Sequence, residues 1–295
     1  MKTPAFFVHK HRAIALTPQK AVAIYAAKVV YFILLVFLTL VIVYPLLFVL
    51  ATSVKSYGEF VKDPFAISFN HVDNYVTAWT EGNFSKYFMN SVFVTGVVIV
   101  TQIILTAIIS FAIGRLRFTG SGIVMGILLI TIFISGEITT IPLFQFVRAA
   151  GLYNTRYAMM FTGMFAPPGM GALLGSNHLR AIPKELSEAA VIDGAGIGTV
   201  FLRIDLPLMR PILVLTAVLT FNNVWSDYMW PMISMPTNSE HWTLPLGLVK
   251  FSTANNSLYG VLCAGLTIIT VPVVLFYSFF SKYFIEGVSA GAVKG

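Results

Sequence analysis

The chain has 295 residues, of which 57% are hydrophobic and only 11% charged, with a formal net charge of +7. Soluble domains carry about 25% charged residues, so this composition excludes an ordinary water-soluble globule, and the surplus apolar surface calls for lipid. The single cysteine, Cys263, excludes an intrachain disulfide, and the five histidines lack metal-ligand spacing beyond an i,i+2 pair near the N-terminus, so no metal centre is expected.

Residues 1–28 carry Lys2, Lys10, Arg12, Lys20 and Lys28 and no acid. The apolar run 29–51 follows. A helix of roughly 20 apolar residues crosses the ~30 Å hydrocarbon core of a bilayer, and this run is long enough. It exceeds the apolar core of a secretory signal, and no small-residue cleavage site follows, so it is expected to remain as a span. Further charge-free runs lie at 91–114, 157–176 and 258–281, while 123–146 holds one charge, Glu137, and 211–233 holds one, Asp227. Bare backbone polar groups are not tolerated in lipid, so each run is predicted to be helical. The expectation is an all-α polytopic membrane protein with six transmembrane helices.

Orientation follows from lysine and arginine, which favour cytoplasmic loops. With the basic first segment inside, the stretches 1–28, 115–122, 177–210 and the C-terminus hold thirteen of these residues, against six in the outer stretches 52–90, 147–156 and 234–257. Both termini are therefore placed in the cytoplasm. The basic pI of 9.5 needs no nucleic acid to explain it. The expected organisation is a cytoplasmic segment 1–28, a membrane domain 29–284 and a cytoplasmic tail 285–295.

Two features within the spans affect packing. Gly122 and Gly126, and likewise Gly171 and Gly175, stand four apart and permit close helix approach, between spans or between subunits. Pro167-Pro168 must break or kink the fourth span.

The stretch 177–210 is long for a loop between spans. Pro183 suits the first turn of a helix, and 184–193 combines a small apolar face (Leu186, Ala189, Ala190, Ile192) with Lys184, Glu185 and Glu188. Gly194, Gly196 and Gly198 then break it, and Thr199 is a candidate N-cap for a second helix. The glycines lack the spacing of a dinucleotide fingerprint and no phosphate-binding loop occurs, so the chain is not expected to bind ATP.

Within this loop Glu188-Ala189-Ala190 is followed after three residues by Gly194, after nine more by Ile204, and then by Leu206-Pro207. The pattern resembles the EAA loop of ABC importer permeases, with every position matched. The resemblance implies a type I importer core, with Glu188, Ala189, Ala190, Asp193, Gly194, Ile204, Leu206 and Pro207 in a coupling helix that docks into a separate ATPase. It runs from about residue 29 to the C-terminus and is similar to the carbohydrate, maltose-type branch. Trp225-Ser226-Asp227-Tyr228-Met229-Trp230-Pro231 is similar to a segment of sugar permeases, with Ser226 where asparagine is usual. Leu244-Pro245-Leu246-Gly247-Leu248 matches their outer loop, and 282–287 and 290–295 match their C-terminus.

The family then implies a second related permease, two ATP-binding subunits that hold ATP and magnesium, an extracytoplasmic solute-binding protein, and residence in a prokaryotic cell membrane. By the same resemblance, this chain itself is expected to carry no cofactor and not to be an enzyme. Ala290, Gly291, Lys294 and Gly295 are the implied tail contact with the ATPase. Trp242, Leu244, Pro245 and Gly247 are candidates for touching the binding protein.

Neutral sugars are held by aromatic faces and by amide or carboxylate groups. Asn222, Asn223, Trp225, Asp227, Tyr228 and Trp230 offer both within nine residues and are candidates for the substrate path. Tyr228 and Trp230 equally suit the headgroup level of a bilayer. On a helix Asn223, Asp227 and Trp230 share a face. Glu137 is the other ionisable group in a span, which is usually turned inward or paired. It follows Ser135-Gly136, where a break would expose a helix N-terminus, and it is a candidate for lining the path. Alternatives are an importer for a glycerol-phosphate or peptide, or a secondary transporter, which would need more acids within the spans. No cluster of catalytic residue types supports a membrane-embedded enzyme.

Overall fold

The computed structural model describes residues 18–66, 68–116, 118–254 and 258–292. The described residues contain helices and no strand. Two compact units divide the chain at residues 49 and 50.

The first unit holds most of α1, Pro18–Thr52, whose sequence is apolar around the whole circumference, as a helix surrounded by lipid requires. The second unit opens with two short helices, α2 (Tyr57–Lys62) and α3 (Asp73–Thr80). Ser56 and Glu59 close a reciprocal capping box on α2. Lys55, 1% exposed, donates from Nζ to the Pro64 carbonyl at 2.8 Å.

The centre of this unit is α4 (Phe84–Phe111), prolonged by a π-helical turn, Ala112–Leu116. Next come α5 (Ser121–Phe133) and α6 (Gly136–Ala149), bent by 104° at their junction. The fourth apolar run forms α7 (Arg156–Phe165) and α8 (Gly169–Ala181). The loop contributes α9 (Glu185–Ile192), α10 (Ile197–Val200), a second π-helical turn (Phe201–Asp205) and α11 (Leu206–Leu208). Then follow α12 (Arg210–Trp225), α13 (Met229–Ser234), α14 (Leu244–Ala254) and α15 (Tyr259–Ala292). Helix α4 packs against α12, α8, α7 and α14, and α12 packs against α15.

Three helices among the described residues are long and apolar enough to cross a membrane, and the bent pairs raise the number to five. The predicted third, fourth and fifth spans are not continuous helices, the third being the run split between α5 and α6. Pro167 has no N–H to give the carbonyl of Gly163, so α7 ends before it. The fifth run breaks between Trp225 and Met229, after which Asp227 accepts the N–H of Trp230 at 3.1 Å. Of the tail residues, Ala290 and Gly291 continue α15, whereas Lys294, Gly295 and residues 1–17 lie outside the described residues.

The small face of α8 is used inside this chain. A Cβ on Gly171 would meet Thr106 Oγ1 at 2.6 Å and Thr216 Oγ1 at 3.0 Å, and one on Gly175 would collide with Ser110. Gly122 and Gly126 have open space at the same position. The two glycine pairs therefore differ: the second joins α8 to α4 and α12, and the first meets nothing among the described residues. Gly171→Val overpacks this junction and is expected to destabilise the purified protein by about 1–3 kcal/mol, seen as a lowered thermal midpoint, while Gly122→Ala leaves it unchanged. Equal midpoints for Gly171→Val and the parent would contradict the close α8 contact.

Candidate functional site

Breaks in two apolar runs meet at one cleft of about 420 Å³. One wall is the α7–α8 break (Ala166, Pro167, Pro168, Gly169), and the other runs from α12 across the α12–α13 break (Thr220, Asn223, Asp227, Trp230), with Val98 and Gln102 of α4 between them. The break at Pro167 orphans the carbonyl of Gly163, and Ala166, with ψ at 131°, turns its own carbonyl out of the helix. Gln102, 6% exposed, donates from Nε2 to both carbonyls at 2.8 Å. A buried carbonyl without a partner costs about 1–3 kcal/mol; Gly163 is half-buried and Ala166 exposed, so the amide relieves part of this cost, chiefly at Gly163.

The cleft is amphipathic. Apolar area comes from Val98, Met159, Leu219 and Val224, and polar groups from Thr162, Thr220 and Asn223. The Trp230 indole N–H is buried and has no hydrogen-bond partner among the described residues. Among the described lining residues Asp227 is the only ionisable one. An aromatic N–H, an amide and a carboxylate beside apolar walls suit an uncharged polyol.

Three of the sequence candidates, Asn223, Asp227 and Trp230, line this cleft, but the helical face expected to join them is interrupted: Asn223 stands on α12, Asp227 in the break and Trp230 on α13. Trp225 does not. It is 2% exposed, stacks on Phe221 at 5.4 Å and donates its N–H to the Ile269 carbonyl, so it is a core residue facing α15. Asn222 and Tyr228 are exposed but do not line the cleft. Glu137 lies in the first turn of α6, exposed and hydrogen-bonded to Ser135, and is also outside it. Gln102 and Thr162 were missed, because a single amide or hydroxyl in an apolar run gives no periodic signal.

The outer-loop candidates separate in the same way. Leu244 is fully buried, with its N–H bonded to Ser91 Oγ at 2.8 Å, and the Cβ position of Gly247 is filled by the Tyr87 ring. Neither can meet an external protein in this conformation. Trp242 is half-buried and donates its indole N–H to Met235 at 2.8 Å, and Pro245 is half-buried. Thr237, Ser239 and Glu240 are the exposed residues of 234–243. A hydrogen bond from Lys86, together with its charge, holds the Glu240 carboxyl below the usual value.

The EAA loop forms as expected around Gly194, whose φ of +85° favours glycine. The second helix starts at Gly196, not at Thr199, which lies within α10. Glu188, Ala189, Asp193 and Gly194 are exposed, Ala190, Ile204 and Leu206 are half-buried, and Pro207 is exposed. Around them Leu186, Val191, Ile192 and Ile197 are 52%, 56%, 85% and 63% exposed. So much apolar surface beside charged side chains outside the apolar runs marks a protein interface. Below it, Arg115 and Asp205 form a buried ion pair. The sequence had offered Arg115 only as one more positive-inside charge.

A cleft between broken apolar helices, with an exposed apolar loop helix nearby, is an arrangement that a membrane permease would use. No protein-family model matches the chain. It is 33% identical over 255 residues to the probable ABC transporter permease protein YurM of Bacillus subtilis (strain 168), covering 86% of this chain and 84% of that one. It is 34% identical to the melibiose/raffinose/stachyose import permease protein MelC of the same organism, covering 85% and 91%. The arabinooligosaccharides transport system permease protein AraQ of Halalkalibacterium halodurans is 32% identical, with 88% and 94% covered. Among solved structures, a bacterial ABC transporter involved in the import of the acidic polysaccharide alginate matches with a TM-score of 0.76 at 24% identity, over 88% of this chain and 97% of that chain. The chain belongs to the family of ABC importer permeases, in its carbohydrate branch.

Gln102→Leu keeps the volume of the side chain and strands both carbonyls. It is expected to cost about 1 kcal/mol in all, the low end for an unsatisfied group because the two carbonyls are only partly buried, read as a lower thermal midpoint in detergent. A midpoint equal to that of the parent would rule out this role for Gln102.

Proposed function

We propose that this chain forms half of the translocation pathway of a binding-protein-dependent importer for a neutral sugar or oligosaccharide. The chain crosses the cell membrane six times, counting the broken runs as crossings, with both termini and the 177–210 loop in the cytoplasm. A second, related permease completes the pathway. Two ATP-binding subunits, which hold ATP and magnesium, dock on the loop, and an extracytoplasmic binding protein delivers the sugar. Hydrolysis takes place in the partners.

The observation that carries this reading is the exposed apolar surface of α9 around Glu188, Ala189 and Ala190. Small Ala189 admits a close partner, and Glu188 offers a carboxylate to a basic group there. The relatives that carry a substrate in their names are import permeases for oligosaccharides such as melibiose, raffinose and stachyose and arabinooligosaccharides. The cleft supports a neutral cargo. Its one charged group is a carboxylate, Asp227, with no basic residue among the described lining, so a uronate or phosphate would meet repulsion without compensation. This argues against glycerol-phosphate and separates the cargo from the acidic polysaccharide of the structurally similar importer.

Reconstituted with its partner subunits, the chain is expected to support ATP-dependent uptake of neutral oligosaccharides. Glu188→Lys is expected to leave the chain in the membrane and to lower uptake at least about tenfold, the loss of a contact of about 1.4 kcal/mol. Asp227→Asn is expected to narrow the preference for neutral over uronate saccharides. Undiminished uptake by Glu188→Lys would refute the coupling role, and an unchanged preference in Asp227→Asn would refute the charge argument.

A further inference from the structure

Helix α9 has no buried side chain and packs against α10 and the π-helical turn Phe201–Asp205. A push on α9 therefore reaches the rest of the chain through that turn. Its last residue, Asp205, is joined to Arg115 in the other π-helical turn, Ala112–Leu116, at the end of α4. Such turns are rare and recur at functional positions, and here two of them direct opposite charges at each other.

The junction is tight. Arg115 Nε donates to Asp205 Oδ1 at 2.8 Å, with side chains 7% and 0% exposed. Arg115 Nη1 donates to the carbonyl of Ile182, just past α8, at 3.1 Å, and Arg180 Nη2 returns from α8 to the Ile113 carbonyl at 3.3 Å. The rings of Phe111 and Phe201 lie 4.9 Å apart beside buried Leu179 and Met209. A Cβ on Gly114 would meet Leu179 Cβ and the Ser176 carbonyl at 3.1 Å, so the end of α4 lies directly on α8.

A buried ion pair is a poor device for stability alone, because desolvating two charges offsets their attraction and a well-packed apolar pair often serves folding as well. What it adds is a directional tie. Building on the reading that this loop couples the chain to an ATPase, we propose that Arg115 and Asp205 are positioning residues that carry the movement of α9 into α4 and α8. The pair has room to work in two positions. Arg115 Nη2 and Asp205 Oδ2 are buried and without partners among the described residues, so one arm of a two-armed contact is made. A small rotation of the 201–205 turn closes the second arm while the first holds, which converts a sliding of the loop into a pull on the ends of α4 and α8.

The test uses the full importer, reconstituted with its partner subunits, and compares the parent with Asp205→Asn and with the neutral double variant Arg115→Gln/Asp205→Asn. Assembly, ATP hydrolysis and sugar uptake are measured together. The expected result is assembly with ATP hydrolysis retained and uptake per ATP reduced at least about fivefold, the lower end of usual coupling factors. A parental ratio of uptake to hydrolysis in the assembled variants would overturn the proposal and leave the pair a purely structural one. Hydrogen exchange on the unmutated complex decides the matter even if neither variant assembles. The amides of 112–116 and 201–205 should change protection together when ATP is added, and a change in one turn without the other would overturn it. Absence of ATP-dependent uptake by the parent complex is a separate result, which strikes at the function and not at the pair.

Discussion

A helix that breaks inside an apolar bundle leaves carbonyls without a helical partner, and in this chain the side chain of Gln102 reaches two of them. Proline at 167 withholds the N–H that would pair with the Gly163 carbonyl, the backbone at Ala166 turns its carbonyl aside, and one amide on the neighbouring helix serves both at 2.8 Å. Non-helical backbone at such a depth is tolerated only where protein satisfies it or where it lines a cavity. Both conditions hold here. The cleft lies where the 166–168 and 226–228 breaks face one another, and the chain's polar groups gather there because the regular helix stops there.

The same constraint separates the work of the two halves of the α8-to-α12 region. On the cleft side, Asp227 accepts a backbone N–H of α13 and leaves the indole of Trp230 with an unused donor. On the loop side, no residue of α9 is fully buried, and its exposed Leu186, Val191 and Ile192 are free to meet another protein. Between them, α8 is locked to α4 and α12 by glycines too close to accept a methyl group. Removing one member of a buried ion pair costs about 3–5 kcal/mol, so the Arg115–Asp205 tie and the glycine contacts hold the ends of α4 and α8 and the 201–205 turn firmly together.

Much of this was legible in the residues. The apolar runs, the prolines at 167 and 168 and the spacing from Glu188 to Pro207 each have a local physical cause, and the structure contains the corresponding helices, break and turn. Asn223, Asp227 and Trp230 do meet at the cleft, but across a break at 226–228 and not along the continuous helical face that their spacing suggests. What sequence could not rank was direction. Trp225 and Trp230 look equivalent in a window of nine residues, yet one is stacked in the core and the other borders the cleft. Leu244 and Gly247 lie in a loop matched to an external contact, yet packing against Ser91 and Tyr87 hides them. Gln102 with Gly163, and Arg115 with Asp205, are pairings across 61 and 90 positions, and no local pattern announces them.

The account depends on the 177–210 loop facing the ATPase side of the membrane. The most direct measurement places a single thiol at exposed Thr199, with buried Cys263 replaced by serine, and follows its reaction with a membrane-impermeant maleimide. The account predicts labelling in inside-out vesicles, slowed when the ATP-binding subunit is bound, and none in intact cells. Labelling from the outside of intact cells would contradict it.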